Sequence, residues 1–182
     1  LLNNGFSNSF IHNNENELRY DRDLCLVGET VLSFIKSTQE TEYQKLYEQF
    51  VTNTDNHILK TLDKTIIQRG IIDTLRKGIQ IRGCSFDLVY FKPKSNMNKE
   101  HGELYSKNQF TVVRQLHYSK QNNNSIDMVL FLNGIPIITI ELKNQLTGQN
   151  FKNSEYQYKH DRDPKEKLLS FKRCLVHFCV DT

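Results

Sequence analysis

The chain has 182 residues, enough for one ordinary domain with its own core, and carries 24 basic against 21 acidic residues for a net charge of +3. With 37% hydrophobic and 25% charged residues it is neither a disordered chain nor a membrane protein, and no apolar run approaches the roughly 18 residues of a bilayer span. So small a net charge permits a nucleic-acid partner without requiring one, because only a clustered basic face attracts phosphates.

Residues 1–17 are Asn-rich and aperiodic. They show no basic-then-apolar signal pattern and read as the tail of an element whose start is missing, so the chain reads as a cut fragment. The stretch LCLVGETVLSFIKSTQETEYQKLYEQF predicts a short strand followed by helix. From Asp55, the spacing of Ile58, Leu59, Leu62, Ile66 and Ile67 predicts a helix that Gly70 caps or interrupts, with one more turn through Leu75 before Lys77-Gly78. Ile79 to Phe91 reads as a strand closed by Pro93, and the polar residues 94–108 read as a surface loop.

The pattern then changes. Residues 109–118 predict a strand, SKQNNNS a turn region, and residues 126–132 a second strand ending at Asn133-Gly134, a dipeptide suited to the positive φ of a tight hairpin. A third strand runs from Ile137 to Lys143, a helix from Phe151 to Asp161 is stopped by Pro164, and RCLVHFCV at 173–180 predicts a buried strand. The order is β-β-β-α-β, with residues 1–108 packing on a core formed by 109–182, together one domain.

Cys25, Cys84, Cys174 and Cys179 form no C-x-x-C pair, in a chain too large to need staples, and read as reduced thiols of a cytoplasmic protein. His177 and Cys179 share one side of a strand, which is either half of a metal site or an ordinary packed pair.

The chemistry gathers at the hairpin IDMVLFLNGIPIITIELKN, residues 126–144. If residue 132 pairs with 135, Asp127 falls opposite Ile140 and one position from Glu141, while Glu141 and Lys143 share a face roughly 6–7 Å apart. Two carboxylates this close repel unless a cation lies between them. Magnesium suits such a pair, and an adjacent ammonium would stabilise charge developing on a phosphodiester. Charged strand ends are also common as solvated contacts, and acid-x-Lys recurs at Asp163-Pro164-Lys165, so from these residues alone both readings stand.

The run from Ser125 to Pro136, then Glu141-Leu142-Lys143-Asn144, Gln157-Tyr158 and Asp161-Arg162-Asp163-Pro164, resembles the amino-terminal nuclease domain of the restriction (R) subunit of type I restriction enzymes. Phe34-Ile35, Thr38-Gln39, Leu75-Arg76-Lys77-Gly78, Asn108 and Arg114-Gln115 extend the resemblance over nearly the whole chain. It implies an α/β, restriction-endonuclease-like fold of the PD-(D/E)xK superfamily, a mixed β-sheet flanked by helices. It also implies an Mg²⁺-dependent endonuclease with Asp127 and Glu141 as metal ligands and Lys143 as catalytic base or charge stabiliser. The partners implied are duplex DNA and the methyltransferase and specificity subunits.

In related nucleases a Gln and a Tyr one helical turn apart assist the site. Here Gln157 and Tyr158 are adjacent, which leaves each as either a DNA-binding or a helix-surface residue. Arg162 would contact the DNA backbone or pair with Asp161 or Asp163. Lys143, Lys152, Lys159, Arg162, Lys165, Lys167, Lys172 and Arg173, interleaved with Tyr156 and Tyr158, would line DNA or form a solvated face. No G-x-x-x-x-G-K-[ST] occurs, so ATP binding would belong to other parts of an R subunit. The family's further acid from an early helix has only poor substitutes in Glu15, Glu17 and Glu29. Besides the nuclease, a non-catalytic DNA-holding or subunit-docking module and a repair nuclease of the same fold remain open.

Overall fold

The computed structural model describes residues 9–12, 18–50, 52–94, 98–143 and 151–181. A short strand β1 (Ser9–His12) precedes four helices, α1 (Gly28–Thr38), α2 (Glu40–Phe50), α3 (Thr54–Arg69) and α4 (Ile71–Lys77). The expected strand before α1 is reduced to an isolated bridge between Asp21 and Leu26. In α3 the helical period holds: Ile58, Leu62 and Ile66 are buried on one stripe, whereas Ile67 lies on the outer face. Gly70 (φ 83°) separates α3 from α4, and Gly78 (φ 65°) ends α4 where an added Cβ would lie 2.2 Å from the Phe86 carbonyl oxygen.

Two expectations fail in this half. Ile79 to Phe91 is not one strand: Arg82 and Gly83, both at positive φ, fold it into the hairpin β2 (Ile79–Ile81) and β3 (Cys84–Phe86), and residues 87–91 form neither helix nor strand. Residues 94–108 are not wholly loop either, because α5 (Lys99–Ser106) forms there, its first turn capped by the Asn98 side chain accepting from the His101 amide.

The chain then builds the main sheet from β4 (Phe110–His117), β5 (Ser125–Leu132), β6 (Ile135–Lys143) and, after helix α6 (Phe151–Tyr156) and a π-helical turn (Gln157–Asp161), β7 (Val176–Asp181). Strand order is β1-β4-β5-β6-β7; β1 and β7 lie parallel to their neighbours and the central pairs are antiparallel. The β-β-β-α-β order is therefore as the sequence implies, and the architecture is an α/β, restriction-endonuclease-like mixed sheet flanked by helices. RCLVHFCV is shorter and more exposed than expected, because β7 is an edge strand with Phe178 and Val180 substantially in solvent.

Along β5 the side chains alternate between two apolar clusters. Leu130 and Leu132 join Ile58, Leu62, Ile66 and Phe86 under the amino-terminal helices, whereas Val129 and Phe131 join Val113, Leu168 and Cys174 on the α6 side. The first cluster ties both halves of the chain together. All four cysteines are free thiols.

The β5–β6 turn locks the sheet to this core. Asn133 (φ 50°) and Gly134 (φ 82°) take the two left-handed positions of a two-residue hairpin. The Asn133 side chain is also a buried hub: Oδ1 accepts from the Gln109 amide at 2.7 Å, and Nδ2 donates to the Leu88 carbonyl at 2.9 Å and to Asn108 Oδ1 at 3.0 Å. Asn133→Gly keeps the turn geometry but strips these bonds, leaving buried partners unmet. In urea unfolding it is expected to cost about 2–4 kcal/mol, and a loss below about 1 kcal/mol would contradict the hub's role.

Candidate active site

The hairpin register differs from a simple count back from the turn. Leu132 faces Ile135 and Phe131 faces Pro136, but a β-bulge shifts the pairing so that Leu130 faces Ile138 and Met128 faces Ile140. One step further, Asp127 falls across from Glu141, not Ile140. The extra residue in β6 thus brings both acids to one face.

Here the backbone ladder gives way to side chains. Asp127 Oδ2 accepts from the Leu142 amide at 2.8 Å, and Oδ1 accepts from Gln115 Nε2 at 3.0 Å. Glu141 is only 2% exposed. Burial drives its pKa up to about 7, Arg162 pulls against that rise, and the Asp127 carboxylate adds to it. Lys143 follows Glu141 by two residues on the same strand and lies beside Asp181 in the parallel register with β7.

Arg162 does not pair with Asp161 or Asp163. Its Nη2 donates to Glu141 Oε1 at 2.5 Å and its Nη1 to the Tyr118 hydroxyl at 3.2 Å, with both charged side chains largely buried. The expected helix does span Phe151–Asp161, but its second half is a π-helical turn, a widening often found at functional sites. Tyr158 from this turn hydrogen-bonds Thr139 Oγ1 at 2.9 Å, and Thr139 in turn contacts His177 Nδ1 at 2.6 Å. Burial pushes the Tyr158 phenol up and the His177 imidazole down, so both are neutral near pH 7. The Gln157 Oε1 atom is buried without a hydrogen-bond partner, in the wall of a polar cleft of about 400 Å³ shared with Asn123, Asn124, Ser125, Asp161 and Arg162.

Part of the supposed basic face, Arg162, Lys167 and Arg173, is taken up in buried or partly buried ion pairs, while other cations keep their partners at the surface. Arg173 is buried, bonded to Asp63 and to the Leu24 and Cys25 carbonyls; Lys167 also pairs with Asp63, and Lys159 pairs with Glu155. Lys172 lies over the Phe171 ring. Glu29 pairs with Arg19 at an exposed surface, while Glu15, Glu17 and Asn144 lie outside the described residues. Among the described residues no group of three or more His, Cys, Asp or Glu is placed to hold one metal ion, which leaves His177 and Cys179 without a third such ligand. Sequence reasoning missed Gln115 as the partner of Asp127, Tyr118 as a partner of Arg162 and Thr139 as the link between Tyr158 and His177. Only Gln115, inside the stretch resembling the family, carried any signal.

An antiparallel hairpin with opposed acids at its open end, a following helix and a parallel last strand define a protein of the restriction-endonuclease-like class. The chain matches the family model described as type I restriction enzyme R protein N terminus over residues 31–180 and belongs to that family. Comparisons with curated proteins and with solved structures returned no match. No helix among the described residues is long and apolar enough to cross a membrane.

Burying Glu141 has a cost that depends on pH. Its folded pKa of about 7 lies above the ordinary 4.5, so its contribution favours the fold at low pH and is lost as pH rises through 7. In chelator at pH 8, Glu141→Gln is expected to raise stability by roughly 1–3 kcal/mol and to flatten the dependence between the two values. Urea titrations at pH 5 and pH 8 check this, and a destabilised variant at pH 8 would contradict it.

Proposed function

We propose that this chain is the Mg²⁺-dependent endonuclease domain of a type I restriction enzyme R subunit, cutting duplex DNA without sequence preference of its own. The observation that carries the proposal is the bulge that sets Asp127 across from Glu141 in a chain of this family. The donor set fits magnesium, which takes one or two carboxylates and leaves its other positions to water and phosphate oxygens. A buried acid whose pKa is driven up to about 7 is also a group that a bound cation would relieve.

Asp127 and Glu141 would hold the ion. When bound, magnesium polarises the scissile phosphodiester and lowers the pKa of the attacking water. Lys143, two residues after Glu141 on β6, would supply an ammonium that stabilises negative charge growing on the phosphate or orients the water. Arg162 now pairs with Glu141; with that carboxylate engaged elsewhere, its guanidinium would be free to take a backbone phosphate in bidentate fashion. Gln157 offers an unpartnered amide oxygen in the adjoining cleft, while Tyr158, tied to Thr139, supports the helix against the sheet. Phosphate contacts alone carry no sequence information, so target choice would fall to the methyltransferase and specificity subunits and translocation to an ATP-driven motor elsewhere in the R subunit, in the cytoplasm.

A second reading, a non-catalytic DNA-holding or docking module, draws on the same ion pair: Glu141 would serve only as the partner of Arg162. Two measurements separate them. Asp127→Ala and Lys143→Ala should each lower DNA nicking by the assembled enzyme at least about 100-fold with the melting temperature retained, and Asp127→Ala should abolish Mn²⁺ heat in calorimetry. Full nicking by either variant, or metal binding indifferent to Asp127, would favour the docking module.

A further inference from the structure

Gln115 sits where a strand residue should not. Its φ is +50°, in the left-handed region that a bulky non-glycine residue enters only at some energetic cost, yet it lies inside β4 with paired residues on both sides. The register passes from Arg114–Met128 directly to Leu116–Ile126, and the omitted step is Gln115 with Asp127. Both strands change faces there. Val113 and Leu116 belong to one apolar cluster although three apart, as do Ile126 and Val129, whereas a regular strand would send each pair to opposite sides. No packing gain accounts for the glutamine itself, since its side chain is exposed.

What the distortion accomplishes is a chain of hydrogen bonds. Ser125 Oγ donates to Gln115 Oε1 at 3.1 Å, which fixes which end of the amide faces Asp127, and Gln115 Nε2 then donates to Asp127 Oδ1 at 3.0 Å. With the Leu142 amide on Oδ2, each carboxylate oxygen has one donor, so the plane of the carboxylate is set and its remaining lone pairs are aimed. We propose that Gln115 is a positioning residue for the metal-binding acid: its strained backbone and its amide, oriented by Ser125, hold Asp127 in the rotamer that receives the cation. This rests on Asp127 being a metal ligand, and the test separates the two claims.

Mn²⁺ binding is measured by calorimetry on the chain with a short non-specific duplex present, for the wild type, Asp127→Asn, Gln115→Gly and Ser125→Ala, with melting temperatures alongside. Glycine tolerates φ +50°, so Gln115→Gly should melt no lower than the wild type while its Mn²⁺ affinity falls about 10–100-fold, the loss usual when the group orienting a metal ligand is removed. Ser125→Ala, which frees the amide to turn, should lose less, about 3-fold, by the same argument. Wild-type affinity in Gln115→Gly, with binding lost in Asp127→Asn, overturns the positioning role and leaves the site intact. Absence of wild-type binding, or wild-type affinity in Asp127→Asn, overturns the site and the role of Gln115 with it.

Discussion

One extra residue in β6 governs the arrangement of the site. Without the bulge, the two-residue turn at Asn133-Gly134 would set Ile140 against Asp127 and turn Glu141 to the opposite face of the sheet. With it, the two acids meet while Leu130 and Ile138 still pack under the amino-terminal helices. The turn can impose this register because Asn133 is bonded to Gln109, Leu88 and Asn108, so the hairpin cannot slide without breaking buried hydrogen bonds. The hub at one end of the strands and the acid pair at the other are thus mechanically one device.

The same geometry makes the site electrostatically poor for stability. Glu141 is buried beside another carboxylate, and Arg162 offsets only part of the burden, since the acid's pKa still stands near 7. A protein selected only to fold would place a neutral side chain there. The strain at Gln115 belongs to the same pattern, backbone cost accepted beside the Asp127 carboxylate. Elsewhere the charges behave differently: Asp63, Arg173 and Lys167 form a largely buried network that fastens the segment before β7 to α3.

The readable parts of the sequence were those with a local signature. The period of Ile58, Leu62 and Ile66 gave α3, Asn133-Gly134 gave the turn, and Asp127, Glu141 and Lys143 stood out as charges closing apolar strands. The bulge was hidden because Ile135 to Ile138 is unbroken apolar sequence, in which no alternation marks the added residue. Helix α5 was missed because it buries no residue and so carries no apolar stripe, although Asn98 as its cap was a usable signal. The pairing of Arg162 with Glu141 and of Arg173 with Asp63 joins residues far apart in the chain, which no window of sequence can show. Counting cations without their partners therefore overstated the basic face.

The most direct test of the account is a crystal of this chain soaked in Mn²⁺ and examined by anomalous scattering. A peak is expected between the carboxylates of residues 127 and 141, with Arg162 drawn away from Glu141. Carboxylates that stay apart with no peak between them, Arg162 still seated on Glu141 at saturating metal, would contradict it.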